Sequence, residues 1–159
     1  MNELLNLLKQ NALETPENLA KMLDMPVDEV RAKIAEYEKE GVIRAYQAVV
    51  NEEKLDASLV TTVIEVKVTP ESEGGFDRIA DRISRFPEVD SVFLMSGGFD
   101  LLLFIKGRTM QEAFGFVSKT LSTMPGVTST DTHFMMKTYK QNGILMHTGE
   151  DDERLKVSP

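Results

Sequence analysis

Apolar residues in the first 45 positions recur at helical spacing and predict three short helices. The first has a leucine-rich face and ends near Asn11. Thr15-Pro16-Glu17 begins the second, with a capping hydroxyl, a proline at the first helical position and an acid in the first turn. The third ends at Gly41, and its apolar face is formed by Val27, Val30, Ile34 and Tyr37. Two short helices, a tight turn and a third helix outline a helix-turn-helix, although a generic three-helix bundle has the same spacing.

Two short apolar stretches after the third helix, Val42-Ile43 and Ala48-Val49-Val50, predict the strands of a small wing. A polar connection follows at residues 51–54. We therefore predict a winged helix-turn-helix domain over residues 1–48 and a linker over residues 49–57.

The period of the pattern changes from 3.6 to 2 after Leu59, which predicts a second domain built on strands. The predicted strands are Val60–Val68, Ser91–Met95, Leu101–Ile105 and Thr130–Tyr139. One helix is predicted over residues 76–86, and Thr109 with Glu112 forms a capping box that opens another. The order βαββαβ indicates a ferredoxin-like sheet with both helices on one face, so the chain is predicted to be α+β. We place this domain over residues 58–141 and a mobile tail over residues 142–159.

The predicted strand Leu101–Ile105 is apolar at every position. A strand in a sheet with one face in water should alternate between apolar and polar residues. A second copy of the same sheet is the simplest cover for the other face, so the sequence predicts an obligate homodimer.

Composition excludes several classes of protein. The chain has 159 residues, 42% of them hydrophobic, and a formal net charge of −8. It contains no cysteine, which excludes disulfides, thiolate metal sites and cysteine nucleophiles. The first residues do not have the pattern of a signal peptide, and no stretch approaches the 18 apolar residues of a membrane span. We expect a cytoplasmic protein that does not bind membranes.

The segment Met95-Ser96-Gly97-Gly98-Phe99-Asp100 is the strongest candidate for chemistry. Two glycines allow a sharp turn and a close approach of the backbone to a ligand. Backbone N–H groups there can hold a small carboxylate, and the side chain of Asp100 can hold an ammonium group. These residues therefore suit a free amino acid, although they also suit an ordinary hairpin turn.

Four basic residues are candidates for contacts with DNA, either to phosphate oxygens or to guanine. They are Arg31, Lys33, Lys39 and Arg44, all on or just after the third helix. Acidic residues outnumber basic ones over residues 1–45. Charge alone therefore favours a solvated helix surface, and each module should bind DNA weakly at physiological salt.

Enzymatic and metal chemistry find little support in the sequence. His133 and His147 are the only histidines, and no carboxylate-histidine motif surrounds them. The chain has no Ser-His-Asp order, phosphate-binding loop or dinucleotide fingerprint. We predict that the protein is not an enzyme and needs neither a metal nor another cofactor.

Several sequence segments, in this order and spacing, resemble the Lrp/AsnC (leucine-responsive, or feast/famine) family of transcriptional regulators over residues 2–141. In the first domain they are Leu19-Ala20, Val30-x-x-Lys33-Ile34 and the run from Glu40 to Tyr46. In the second they are the run from Ser96 to Leu102 and Leu121-x-x-Met124-Pro125-Gly126-Val127.

The resemblance implies a winged helix-turn-helix that binds double-stranded DNA and a regulatory (RAM, ACT-like) domain that binds a small effector, usually an amino acid. It implies dimers that pair through the regulatory sheets and assemble further, often into octamers. The effector positions of the family fall on Gly97, Gly98, Phe99, Asp100, Thr130 and Thr132. Two positions differ from the family: Pro26 stands where serine is usual, and Lys33 where arginine is frequent.

Three functions remain open at the level of sequence. The first is a DNA-binding regulator whose oligomeric arrangement responds to an amino acid. The second is a ligand sensor with weak or lost DNA binding, which the acidic helix surface would suit. The third is an enzyme similar to siroheme decarboxylases, which share the two-domain plan; here only His133 lies near a plausible pocket.

Overall fold

The computed structural model describes residues 2–55, 59–70, 75–107 and 109–147. The chain divides into two compact units, Met1–Val49 and Val50–Pro159. Within the described ranges, no helix has the length and apolar character needed to cross a bilayer.

The first unit contains the three helices that the apolar periodicity predicts: α1 (Glu3–Gln10), α2 (Pro16–Leu23) and α3 (Val27–Lys39). Thr15 caps α2, because its hydroxyl accepts a hydrogen bond from the Asn18 N–H at 3.2 Å. Pro26 precedes α3 and provides no side-chain cap. The helices pack around one small core formed by Leu4, Leu8, Leu19, Ala20 and Val30.

The predicted wing strands do not form, since residues 42–50 contain no strand. The Ile43 N–H instead donates to the Tyr37 carbonyl at 3.0 Å, and the Ile43 side chain packs against the helical core. Residues 44–48 are exposed and have no apolar face to bury. A two-stranded ribbon without such a face is marginal in water, which explains why the pattern of β-branched residues was misleading.

The second unit is a four-stranded antiparallel sheet with the predicted order of elements. Its strands are β1 (Val60–Val68), β2 (Val89–Leu94), β3 (Leu101–Gly107) and β4 (Val127–Phe134), arranged β2-β3-β1-β4. The helices are α4 (Asp77–Ile83) and α5 (Met110–Phe116), and a π-helical turn, Val117–Leu121, continues α5. Alternate residues of β1 and β3 face these helices and form the core: Ile64, Val66, Val68, Leu101, Leu103 and Ile105.

The junction between the π-helical turn and β4 is tightly packed at Gly126. Its φ of +91° lies in a region that residues with a side chain rarely adopt. A Cβ atom at this position would lie 2.6 Å from Cδ1 of Ile79, which is fully buried in α4. Only glycine fits this position without strain.

The last predicted strand is shorter than expected, because β4 ends at Phe134 rather than Tyr139. The ladder between β1 and β4 ends with the bond from the Met135 N–H to the Thr61 carbonyl at 2.9 Å. The chain then forms a two-residue hairpin, β5 (Lys140–Gln141) with β6 (Ile144–Leu145).

Parts of the predicted linker and tail are folded together in the second unit. Residues Glu52–Lys54 form a short 3-10 turn. The Asn51 side-chain amide donates to the Met146 carbonyl at 2.8 Å, and the Thr138 N–H donates to Glu53 at 3.2 Å. The tail therefore does not begin at residue 142, and residues 148–159 of the predicted tail lie outside the described residues.

Candidate functional site

The glycine loop lies between β2 and β3 and is fixed to the sheet by Asp100. The Asp100 N–H donates to the Val66 carbonyl at 3.0 Å, and its carbonyl accepts from the Met95 N–H at 2.8 Å. The carboxylate accepts a hydrogen bond from the Val68 N–H at 2.9 Å, where a bulge interrupts the pairing of β1 with β4. Gly97 has a φ of +150°, so the turn needs glycine there. The Asp100 carboxylate thus has a structural partner, which the sequence did not reveal.

A groove of about 280 Å³ lies beside this loop. It is lined by Glu65, Lys67, Gly98, Phe99, Ser129, Thr130 and Asp131. Of the predicted effector residues, the structure brings Gly98, Phe99 and Thr130 together here. Gly97, Asp100 and Thr132 are not part of this lining. Thr130 lies opposite Val66 and Thr132 opposite Ile64, so both side chains project towards the helices, where the Thr130 hydroxyl lies 3.4 Å from that of Ser122.

Four groove residues were missed by the sequence analysis: Glu65, Lys67, Ser129 and Asp131. Glu65 and Lys67 are two residues apart in β1, and Ser129 and Asp131 are two residues apart in β4. The two members of each pair therefore lie on the same face of the sheet. The strand register places Glu65 opposite Asp131 and Lys67 opposite Ser129. The groove therefore offers carboxylates, an ammonium group, a hydroxyl and a glycine backbone, which together can bind both charges of a zwitterion.

The sheet face away from the helices, here called the open face, is largely apolar towards β2. Phe93 is 50% exposed, and its ring packs edge-on against Phe104 at 6.1 Å between centroids. Leu102 is half-buried beside them. Leu94, the next residue of β2, lies opposite the buried Leu101 and therefore projects from the other face of the sheet. Singly exposed apolar residues are ordinary, but a contiguous patch of this kind marks an interface.

A larger cavity, about 690 Å³, lies on the open face near the β5–β6 hairpin. Its walls include Phe93 and Phe104, and none of the predicted effector residues. At its edge the Lys106 ammonium lies 3.1 Å from Glu52 and 3.5 Å from Asp90. The hydrogen bond to Glu52 raises the pKa of Lys106. Because this cavity opens onto the apolar patch, a second sheet laid on the open face would cover it.

The four candidate DNA-contacting residues lie on α3 and the segment after it. Arg31, Lys39 and Arg44 are exposed, and Lys33 is half-buried. The Arg31 guanidinium pairs with Glu17 of α2. Hydrogen bonds from the backbone of Glu17 itself and from Arg31 lower the pKa of the Glu17 carboxyl.

Lys33 is also paired with an acid, because its ammonium lies 3.0 Å from the Glu29 carboxylate one turn earlier. Both central cations of the candidate DNA surface therefore have intramolecular partners. A phosphate would have to compete with these carboxylates, which weakens the electrostatic contribution to DNA binding.

Residues 61–145 match a family model described as the Lrp/AsnC ligand binding domain. The HTH-type transcriptional regulator YugG of Bacillus subtilis (strain 168) is 48% identical over 158 residues, covering 99% of this chain and 95% of that protein. The leucine-responsive regulatory protein of Haemophilus influenzae is 30% identical over 144 residues, covering 91% of this chain and 86% of that protein.

Solved structures of similar proteins share the fold. A transcriptional regulator of Neisseria meningitidis, determined as a complex with L-Met, has a TM-score of 0.71 and 23% identity. The match covers 89% of this chain and 93% of that one. AsnC of Escherichia coli has a TM-score of 0.66 and 15% identity, over 87% of this chain and 91% of its own.

Proposed function

Because the chain belongs to the Lrp/AsnC family, we propose that it is a DNA-binding transcriptional regulator whose oligomeric arrangement responds to a small effector, an amino acid. The groove beside the glycine loop carries the ligand part of this proposal, since it combines Lys67 with two carboxylates and the Gly98 backbone. A neighbour of the same fold was solved with L-Met, which supports an amino acid as the effector class.

In the proposed site, the effector carboxylate lies against the Lys67 ammonium and the Gly98 backbone. Its ammonium group faces the groove carboxylates, and Phe99 and Ser129 contact the remainder of the molecule. Thr130, whose side chain projects towards the helices, acts only through its position in β4. Asp100 and Gly97 act indirectly, because they hold the loop in the shape that forms the groove. Thr132 supports the strand rather than the ligand.

The apolar patch on the open face supports a homodimer in which two sheets cover each other. Phe93, with the half-buried Leu102 and Phe104 beside it, supplies the apolar surface for this contact. Dimers then associate further, to an octamer if the assembly follows the family. Effector binding at the groove changes DNA affinity by favouring one arrangement of the dimers, which is a coupling between two sites.

A thermal-shift screen of the twenty amino acids tests the effector. A ligand that binds only the folded protein must raise its melting temperature. Lys67→Met should abolish the shift produced by the best ligand, whereas Lys9→Met, a change on the exposed surface of α1, should retain it. A shift that Lys67→Met leaves unchanged would place the effector elsewhere.

The ion pairs on α3 favour a second candidate function, a ligand sensor with little DNA binding. Selection of DNA fragments by the full-length protein separates the two candidates. If the protein is a DNA-binding regulator, Arg31→Ala and Lys33→Ala should weaken binding to the selected fragment and reduce its dependence on salt. Recovery of no sequence-specific fragment would favour the sensor.

A further inference from the structure

Three side chains of the kind that ligate metals lie together on the open face: Glu65 of β1 with Asp131 and His133 of β4. Asp131 and His133 are two residues apart, so they project from the same face, and Asp131 lies directly opposite Glu65. Nε2 of His133 is 3.5 Å from Oε1 of Glu65 and 3.9 Å from Oδ2 of Asp131. One donor atom from each residue lies within 4.8 Å of the other two.

The charges of this cluster are not balanced by the protein. Among residues 59–70, 75–107 and 109–147, the only ion-pair partner of either carboxylate is His133, which is a cation only when protonated. Lys67 lies two residues further along β1, opposite Ser129. Within the same described ranges, it forms no ion pair with either carboxylate. Like charges directly opposite on neighbouring strands repel each other, so the cluster favours an added cation.

We propose that Glu65, Asp131 and His133 bind a divalent transition-metal ion of the Zn²⁺ or Co²⁺ type. One imidazole nitrogen with two carboxylate oxygens is a donor set that suits these ions better than Mg²⁺ or Ca²⁺, which prefer oxygen alone. Bonds of about 2.0–2.2 Å in a tetrahedral site place neighbouring donors roughly 3.4 Å apart.

The two separations that involve His133 are close to this value, and all three donors lie within 4.8 Å of one another. The His133–Glu65 separation of 3.5 Å already fits, and a small rotation of the Asp131 side chain would shorten its 3.9 Å separation. Side-chain exposures of 35% for Glu65 and 51% for His133 leave a route for the ion to enter. Three protein ligands leave a fourth position for water or for a group from a second copy.

This metal site shares two of its three ligands with the proposed effector site, so the ion and the effector ammonium group would compete for them. Glu65 and Asp131 also line the groove, but His133 does not. The variant His133→Gln therefore removes the metal ligand that the groove does not use. His147→Gln is its matched control, because His147 is the only other histidine of the sequence and lies beside a different carboxylate, that of Glu53, at 3.4 Å.

Titration of the full-length protein with Co²⁺, followed by visible absorption, tests the proposal. We expect saturable binding with the intense bands of a low-coordinate site, and displacement of Co²⁺ by Zn²⁺. His133→Gln should weaken the affinity at least about tenfold, since removal of even an outer-shell partner has that effect. His147→Gln should bind as the wild type does. No saturable binding, or equal binding by His133→Gln, would overturn the proposal.

A second measurement needs no variant at the site. The wild-type protein contains two histidines, so its NMR spectrum has two sets of imidazole resonances, which His147→Gln assigns. Substoichiometric Co²⁺ should shift or broaden the resonances of His133 selectively. Perturbation of His147 alone would reject the proposed site even if His133→Gln failed to fold.

Discussion

Replacement of Asp100 separates a structural carboxylate from a ligand-binding one. In the structure, this carboxylate accepts the N–H of Val68, a residue only 7% exposed, at a bulge in β1. Asp100→Ala removes the acceptor and leaves that N–H without its partner. Asp100→Asn removes the charge but keeps an oxygen that can accept the same hydrogen bond.

The size of each effect follows from the chemistry of the lost bond. An unsatisfied buried donor costs about 1–3 kcal/mol, so Asp100→Ala should lower the free energy of unfolding by about 2 kcal/mol. In Asp100→Asn a neutral hydrogen bond replaces a charge-assisted one, and the loss should be about 1 kcal/mol. For a unit of roughly 100 residues, these changes lower the melting temperature by roughly 10 °C and 5 °C.

Chemical denaturation of the two variants measures these free energies, and hydrogen exchange of the Val68 amide reports the bond directly. Exchange should accelerate strongly in Asp100→Ala and modestly in Asp100→Asn. The amino-acid response should be lost in Asp100→Ala, whose loop has lost an anchor, and retained in Asp100→Asn. The structural role is refuted if Asp100→Ala unfolds with wild-type stability. A stable Asp100→Asn variant without a ligand response would instead make Asp100 a direct ligand.

Three further variants test the remaining parts of the structure. Glu17→Gln removes the carboxylate that pairs with Arg31 and leaves the guanidinium able to bind a DNA phosphate. A plot of log DNA affinity against log salt concentration should therefore become steeper by up to about 0.9 per module. This change in slope should vanish in an Arg31→Ala background. Gly126→Ala forces a residue with a side chain into positive φ against Ile79 and should lower the free energy of unfolding by about 1–3 kcal/mol, measured by urea denaturation; wild-type stability would contradict the packing described. Phe93→Asp places a charge in the proposed sheet-to-sheet contact and should yield monomers by light scattering, whereas an unchanged mass would exclude the open face as the dimer contact.

Local patterns predicted the parts of the fold that depend on local physics. Thr15 and Pro16 set the start of α2 because capping involves only neighbouring residues. The βαββαβ order followed from the change of period at Leu59, since periodicity reflects which face of each element is buried. The wing failed for a non-local reason: β-branched residues form strands only where a partner and a buried face exist, and residues 42–50 have neither within the first unit.

The candidate sites were less accessible to sequence reasoning because they depend on strand register. In the sequence, Glu65 and Lys67 are recognisable only as the polar residues of a strand in which polar and apolar residues alternate. Their nearness to Asp131 and His133 arises from pairing between strands more than 60 positions apart in the chain. The hydrogen bond from Val68 to Asp100 is likewise non-local. The glycine loop was identified from local chemistry, but the partner of its carboxylate was not.

The contacts of Asn51 and Glu53 with the C-terminal segment set the length of the tether that carries the DNA-binding module. Ile43 packs on the helical core, the Tyr46 hydroxyl donates to Glu38 at 2.9 Å, and Asn51 is held by Met146, so residues 47–50 are the span between these contacts. Four extended residues reach about 14 Å, whereas release of the chain through residue 55 would give nine residues and about 30 Å. Since effective concentration falls with roughly the −3/2 power of linker length, loss of the C-terminal clamp would dilute the module about threefold at a neighbouring half-site.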